Sequence, residues 1–293
     1  MLHTVTFSTF MVDVPPFWRL VLAIGITVGV TLLMVWLFHG RVLALNAKDE
    51  MAKDARNARK QAAEDAGETF DEPPLPAPAY ELSGRAIGLT TTAFVFLLAF
   101  VFGNFWQASK AATAATEAEA ADFARARVVA SKIAPDKGGP QVVAALEAYQ
   151  NDVMNQQWPL LEHADSPAAY TTLVEAGLPV ADALLEASKA GADNAPEWES
   201  LTSAVDDMFD QGRNRVDALP NRAAPGALAV IFILGITNLV LVALFIPVRL
   251  GANLFLMGMM AAITALLLFI VVEASNPYVG ATAVHWPVTG TSP

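Results

Sequence analysis

Apolar positions in this chain run together in four unbroken stretches, at about residues 20–38, 86–106, 226–246 and 252–272, and none contains Lys, Arg, Asp or Glu. Each is long enough to cross a hydrocarbon core of about 30 Å at about 1.5 Å per helical residue. The pattern predicts an all-α integral membrane protein with four transmembrane helices. A long helical insert lies between spans 2 and 3.

Outside the spans the pattern turns mixed. From Arg41 to Ala66 the chain is rich in Ala, Lys, Glu and Asp and has no proline, so span 1 is expected to continue as a helix. The proline-dense run Glu72-Pro73-Pro74-Leu75-Pro76-Ala77-Pro78 then predicts an extended linker, and Ser83 an N-cap for span 2. An Ala-rich run after Trp106 predicts that span 2 continues to about Ala134, where Pro135 and Gly138-Gly139-Pro140 end it. In the insert, Val142, Val143, Leu146, Tyr149, Val153 and Met154 recur near helical spacing, and Pro167, Pro179 and Pro196 stand where first helical turns are expected. A last helix at 196–219 leads through Pro220 and Pro225 into span 3. The resulting division is 1–40 (N-terminal segment and span 1), 41–85 (cytoplasmic helix and linker), 86–106 (span 2), 107–222 (helical insert), 223–250 (span 3), 251–273 (span 4) and 274–293 (tail).

Charge orients these pieces. Residues 41–86 hold seven basic side chains, and Arg41, Lys48, Lys53, Arg56, Arg59 and Lys60 lie close after span 1. The excess of Lys and Arg on cytoplasmic loops places this one inside. The insert carries nine Lys/Arg against 18 Asp/Glu over residues 107–222, and Arg249 stands alone between spans 3 and 4. The insert and both termini are therefore expected outside the cytoplasm, with Trp18 and Trp106 at the outer interface and Trp36 at the inner one. The first stretch is read as a retained anchor, because no Lys or Arg precedes Arg19. A net charge of −11 argues against nucleic acid as a partner, and the absence of cysteine excludes disulfides and thiolate chemistry. The expected partners are membrane lipids and either other membrane-protein subunits or further copies of the chain.

Several short motifs occur in a suggestive order. They are Ala115-Thr116-Glu117-Ala118-Glu119-Ala120 after span 2, Tyr149 with Trp158-Pro159-Leu160, Arg213-Asn214-Arg215-Val216 before span 3, and Asn276-Pro277-Tyr278-Val279-Gly280 after span 4. In these the chain resembles the bacterial bestrophin-like domain family over about residues 88–285. The resemblance implies two spans, an extramembrane helical insert and two more spans. It also leads one to expect an acidic and a basic or histidine residue just before the Pro-aromatic pair, where Ser275-Asn276 stand.

Candidate chemistry is sparse. His3, His39, His163 and His285 are scattered along the chain, no cofactor or metal is expected, and His39 reads as an interfacial side chain. Glu273 reads as a charge at the outer head groups, with pairing to a basic side chain or lining of an aqueous mouth as the alternatives. Arg213, Arg215 and Arg222 lie among Asp206, Asp207, Asp210 and Asp217, a pattern read as helix-surface ion pairs, with an anion-collecting vestibule as the alternative. Gly25 and Gly29 form a GxxxG helix-packing candidate in span 1. Phe96, Phe100 and Asn104 share one face of span 2 beside Phe94, Phe102 and Phe105; the stripe reads as packing against other spans or lipid, and in the alternative reading as a candidate pore constriction, since true bestrophin channels have an aromatic constriction on a comparable helix. With no ionisable residue inside a span and no catalytic motif, an enzyme is not expected. The leading expectation is a structural or accessory subunit of a larger envelope complex in the plasma membrane of an actinobacterial cell, such as a respiratory supercomplex. The alternative is a homo-oligomeric anion channel.

Overall fold

The computed structural model describes residues 14–67, 69, 79–219, 224–245, 250–280 and 283–287. His3, the proline linker at 72–78, Pro220, Arg222 and Arg249 lie outside them. The described residues form eight α-helices: α1 (Pro16–Asp65), α2 (Ala79–Ala130), α3 (Gly139–Asp152), α4 (Trp158–Glu162), α5 (Ser166–Lys189), α6 (Trp198–Asp217), α7 (Ala224–Phe245) and α8 (Leu250–Glu273). No strand occurs among them, and four of the helices are long and apolar enough to span a bilayer. The protein is an all-α membrane protein.

Length separates span from stalk. α1 has 50 residues and α2 has 52, so each extends to roughly 75 Å at about 1.5 Å per residue, well over twice the hydrocarbon thickness. α2 begins at Ala79, so Ser83 is an interior residue of the helix rather than its cap. It ends at Ala130, before a short 3-10 turn at Pro135–Lys137 and a left-handed Gly138 with φ 86°.

The chain divides into two compact units. In the spanning unit (17–101 and 225–271), Val35, Leu239, Val242, Ala243, Met257 and Ala261 form a small apolar core. The Phe94 ring fills the space beside Gly235, where an added Cβ would lie 3.1 Å from it. Thr91 donates a 2.7 Å hydrogen bond to Asn238 Oδ1.

The insert unit joins residues 102–224 to the segment after span 4. Its core is built from Ala112, Phe123, Ala126, Leu146, Leu161, Leu173, Val180, Leu201 and Met208 together with Tyr278, Val284 and Trp286. Asp165 caps α5 by accepting from the Ala168 N–H, with Pro167 in the first turn. Pro179 does not start a helix: it lies inside α5, which continues through it to Lys189. Between α3 and α4 the chain makes one π-helical turn, Val153–Gln157. The extra residue in such a turn rotates the face that the next helix presents, and here both Gln157 and Trp158 are buried.

Candidate functional site

Two helices of the insert each place one charge on an otherwise apolar face. On α6 the buried positions are Leu201, Ala204, Val205, Met208, Gly212, Arg215 and Val216, a helical repeat that includes an arginine. On α2 they include Ala112, Ala115, Thr116, Glu119, Ala120, Phe123 and Ala126, a repeat that includes a glutamate. Both side chains are fully buried, and Arg215 Nη2 lies 3.2 Å from Glu119 Oε1. A buried charge is tolerated when it is paired and hydrogen-bonded.

The neighbours supply such bonds to Glu119 Oε1 and Arg215 Nη2, while Glu119 Oε2, Arg215 Nε and Arg215 Nη1 are buried with no hydrogen-bond partner among the described residues. Tyr149 of α3 donates to Glu119 Oε1 at 2.7 Å. Arg215 Nη2 also donates to Gln157 Oε1, while Gln157 Nε2 donates to the Ala169 carbonyl at 2.9 Å. Tyr278 donates through its hydroxyl to the Arg215 carbonyl at 2.6 Å. The guanidinium lies 5.2 Å from the Trp158 ring centre and 5.6 Å from that of Trp286, within range of cation–π attraction to both. Trp158 in turn meets Tyr278 edge to face at 5.6 Å. Gly212 leaves room for this contact, because a Cβ there would stand 3.1 Å from Tyr149 Oη and 3.4 Å from Glu119 Oε1. One charge pair thus ties together α2, α3, the π turn, α6 and the segment after span 4.

Burial governs the protonation of the cluster. It pushes the Glu119 carboxyl above its ordinary value, against the opposing pull of Arg215 and the Tyr149 hydrogen bond. Burial, and then the Glu119 charge, hold the Tyr149 hydroxyl well above its ordinary value, so it remains a donor. Tyr278 is raised first by burial as well. Glu119 Oε1 and Arg215 Nη2 face each other beside the rings of Trp158 and Trp286. The arrangement is that of a structural clasp.

The sequence pattern places Arg215 among three surface arginines, and the structure corrects this. Arg213 does pair on the surface, with Asp210 at 2.9 Å, but Arg215 points inward to residues far along the chain. The signal in the sequence is its place on the apolar repeat of α6, which the acidic residues nearby obscure. Asn276, standing where a charged residue was expected, donates to the carbonyls of Leu161 and Glu162 at 3.2 and 2.9 Å and so docks the segment after span 4. The carboxylate of Glu273 is buried and packs against Gly280, whose φ of 102° and lack of a Cβ allow an approach that a side chain would narrow to 2.6 Å.

The other candidates lie apart from the clasp. Gly25 and Gly29 have no atom of another residue within 4 Å of where a Cβ would stand, apart from their own helix and chain neighbours. Phe96 and Phe100 are 70% and 60% exposed and Asn104 is exposed, whereas Phe94 and Phe105 turn inward. His39 is half-buried, His285 is exposed, and the His163 ring is 2.7 Å from the Pro159 carbonyl. Among the described residues no three His, Asp or Glu side chains converge as metal ligands do.

The model of the bestrophin-like domain family matches residues 77–285. That interval contains Glu119, Tyr149, Gln157, Trp158, Arg215 and Tyr278. No curated protein and no solved structure matches the chain.

Proposed function

The chain belongs to the bestrophin-like domain family, and from that premise we propose that it is a non-enzymatic structural or accessory subunit of a larger assembly in a bacterial plasma membrane. The insert and both termini face outward, and the basic cluster from Arg41 to Lys60 faces the cytoplasm. The observation that carries the reading is how little of the spanning surface the chain covers for itself. In the apolar stretches of α1 and α2 only 11% of residues are buried, and the Gly25/Gly29 ridge is open. Small-residue ridges let a neighbouring helix approach closely, which makes this face suited to another subunit. The one buried charge pair described above belongs to the fold of the insert and is enclosed by rings, which supports a role without chemistry.

The native complex, extracted in mild detergent, tests this. A mass exceeding any ring of identical chains, with a stoichiometric second polypeptide, is expected. Reconstituted alone in a planar bilayer, the chain is expected to be silent. The second reading, a homo-oligomeric anion channel, draws on the exposed Phe96 and Phe100, which a ring of copies would bring to an axis. An anion current from the purified chain that rises in Phe96→Ala/Phe100→Ala would establish that reading and overturn the first.

A further inference from the structure

α5 is amphipathic on one side and apolar on a second. Its buried face carries Ala169, Leu173, Ala176, Gly177, Val180 and Ala187 into the insert core. Beside that face runs a second apolar row, Tyr170, Val174, Leu178 and Leu185, with exposures of 45, 49, 58 and 55%, and Ala181 between them is also exposed. A lone exposed leucine is ordinary, but a row about 22 Å long at about 1.5 Å per residue is a patch that marks an interaction surface.

The spacing of the row specifies the kind of partner. Val174, Leu178, Ala181 and Leu185 succeed one another at steps of four, three and four, the a/d repeat of a coiled-coil seam. Ala181 at the middle would let a second helix approach closely. Glu175 and Asp182 stand directly after Val174 and Ala181, at the flanking e positions. Both are exposed, and among the described residues neither forms an ion pair. The next e position, Lys189, is engaged by Glu186 at 2.7 Å. The seam is therefore apolar along its centre and acidic along its open edge. An anionic lipid surface would be repelled by that edge, and a second copy would bring acid against acid.

We propose that this face of α5 is a docking seam for an amphipathic helix of a partner protein, one carrying apolar residues at its a and d positions and Lys or Arg beside them. The inference rests on the accessory-subunit reading and supplies the chemistry of the partner. It fails separately from that reading, because the seam is tested by peptide binding and the reading by bilayer current and complex mass.

The test uses the full chain in nanodiscs and two synthetic helical peptides of about three heptads with Leu at a and d, one with Lys and one with Glu at e and g. The Lys peptide is expected to bind, the Glu peptide to bind at least about tenfold more weakly, and Leu178→Asp to weaken the Lys peptide by a similar factor. Leu185→Gln provides a second variant should Leu178→Asp disturb the fold, which far-UV circular dichroism reports. Lys-peptide affinity unchanged in both variants, equal binding of the two peptides, or self-association of nanodiscs that Leu178→Asp abolishes would each overturn the proposal.

Discussion

α2 passes through both regions of the molecule and behaves differently in each. In the insert it buries Ala112, Ala115, Ala120, Phe123, Ala126 and Ala130, all at 4% exposure or less, and adds an ionisable side chain to that face. In its apolar span from residue 86 onward it leaves Phe96 at 70% and Phe100 at 60% exposed and carries no charge. In water, apolar surface is stable only where the chain covers it, so the insert must close around its own core. In lipid the surroundings do the covering, and a span needs few internal contacts. The insert therefore holds the specific side-chain geometry, and the spanning unit keeps surface available for neighbours.

The sharpest way to break this contrast is to orphan the buried charge. Arg215→Met leaves Glu119 without its cation and should destabilise the insert by about 3–5 kcal/mol, limited by proton uptake on Glu119. Loss of amide-exchange protection in α3 and α5 would report it. Adding Glu119→Gln should recover part of the loss. If the double variant is no better than the single, the two tryptophan faces matter more than the charge. The pH dependence carries a defined sign. With the folded carboxyl raised above its ordinary 4.5, the folded state holds the proton more tightly than the unfolded one. The Glu119 contribution to stability therefore falls as pH rises from the unfolded value through the folded one, and Glu119→Gln should remove that component of the profile.

A smaller effect is expected in the spanning unit. A Cβ at Gly25 would have no atom of another described residue within 4 Å outside its own helix and chain neighbours, so Gly25→Leu should leave the insert untouched while weakening assembly by roughly 1–3 kcal/mol through overpacking at a neighbouring helix. Native mass spectrometry reads the change in oligomer or complex population. Unchanged assembly would assign that face to lipid.

The smallest effects compare one lost hydrogen bond in each region. Tyr278→Phe removes the donor to the Arg215 carbonyl and should cost about 1 kcal/mol. Asn238→Leu removes the acceptor of Thr91 and should cost nearer about 0.6 kcal/mol, since a polar group in an unfolded span still finds partners. Paired urea or detergent unfolding series would rank them, and a larger loss in the span would reverse the contrast.

The two regions also differ in how legible they are in the sequence. The spans can be read from composition alone, because a bilayer demands an unbroken apolar run whatever packs against it. The stalk beyond span 1 is likewise visible in an Ala- and charge-rich run without proline. The clasp is not, because its bonds join residues 30, 58 and 63 positions apart, beyond any local period. The motifs that carry the family resemblance contain Glu119, Tyr149, Trp158, Arg215 and Tyr278, but order along a chain does not reveal convergence. Pro179 misleads for a related reason: a proline tolerated inside α5 looks the same in sequence as one that begins a helix.

The closure of the insert by Tyr278 and Trp286 bears on biogenesis. The insert is synthesised before spans 3 and 4, but its core remains open until residues from beyond span 4 reach it, with Asn276 bonded to a carbonyl 115 positions earlier. During translation the insert must therefore wait, incompletely folded, while two more helices enter the bilayer. A chain with a misinserted span 3 or 4 would then be expected to keep an open insert core, lacking Tyr278 and Trp286.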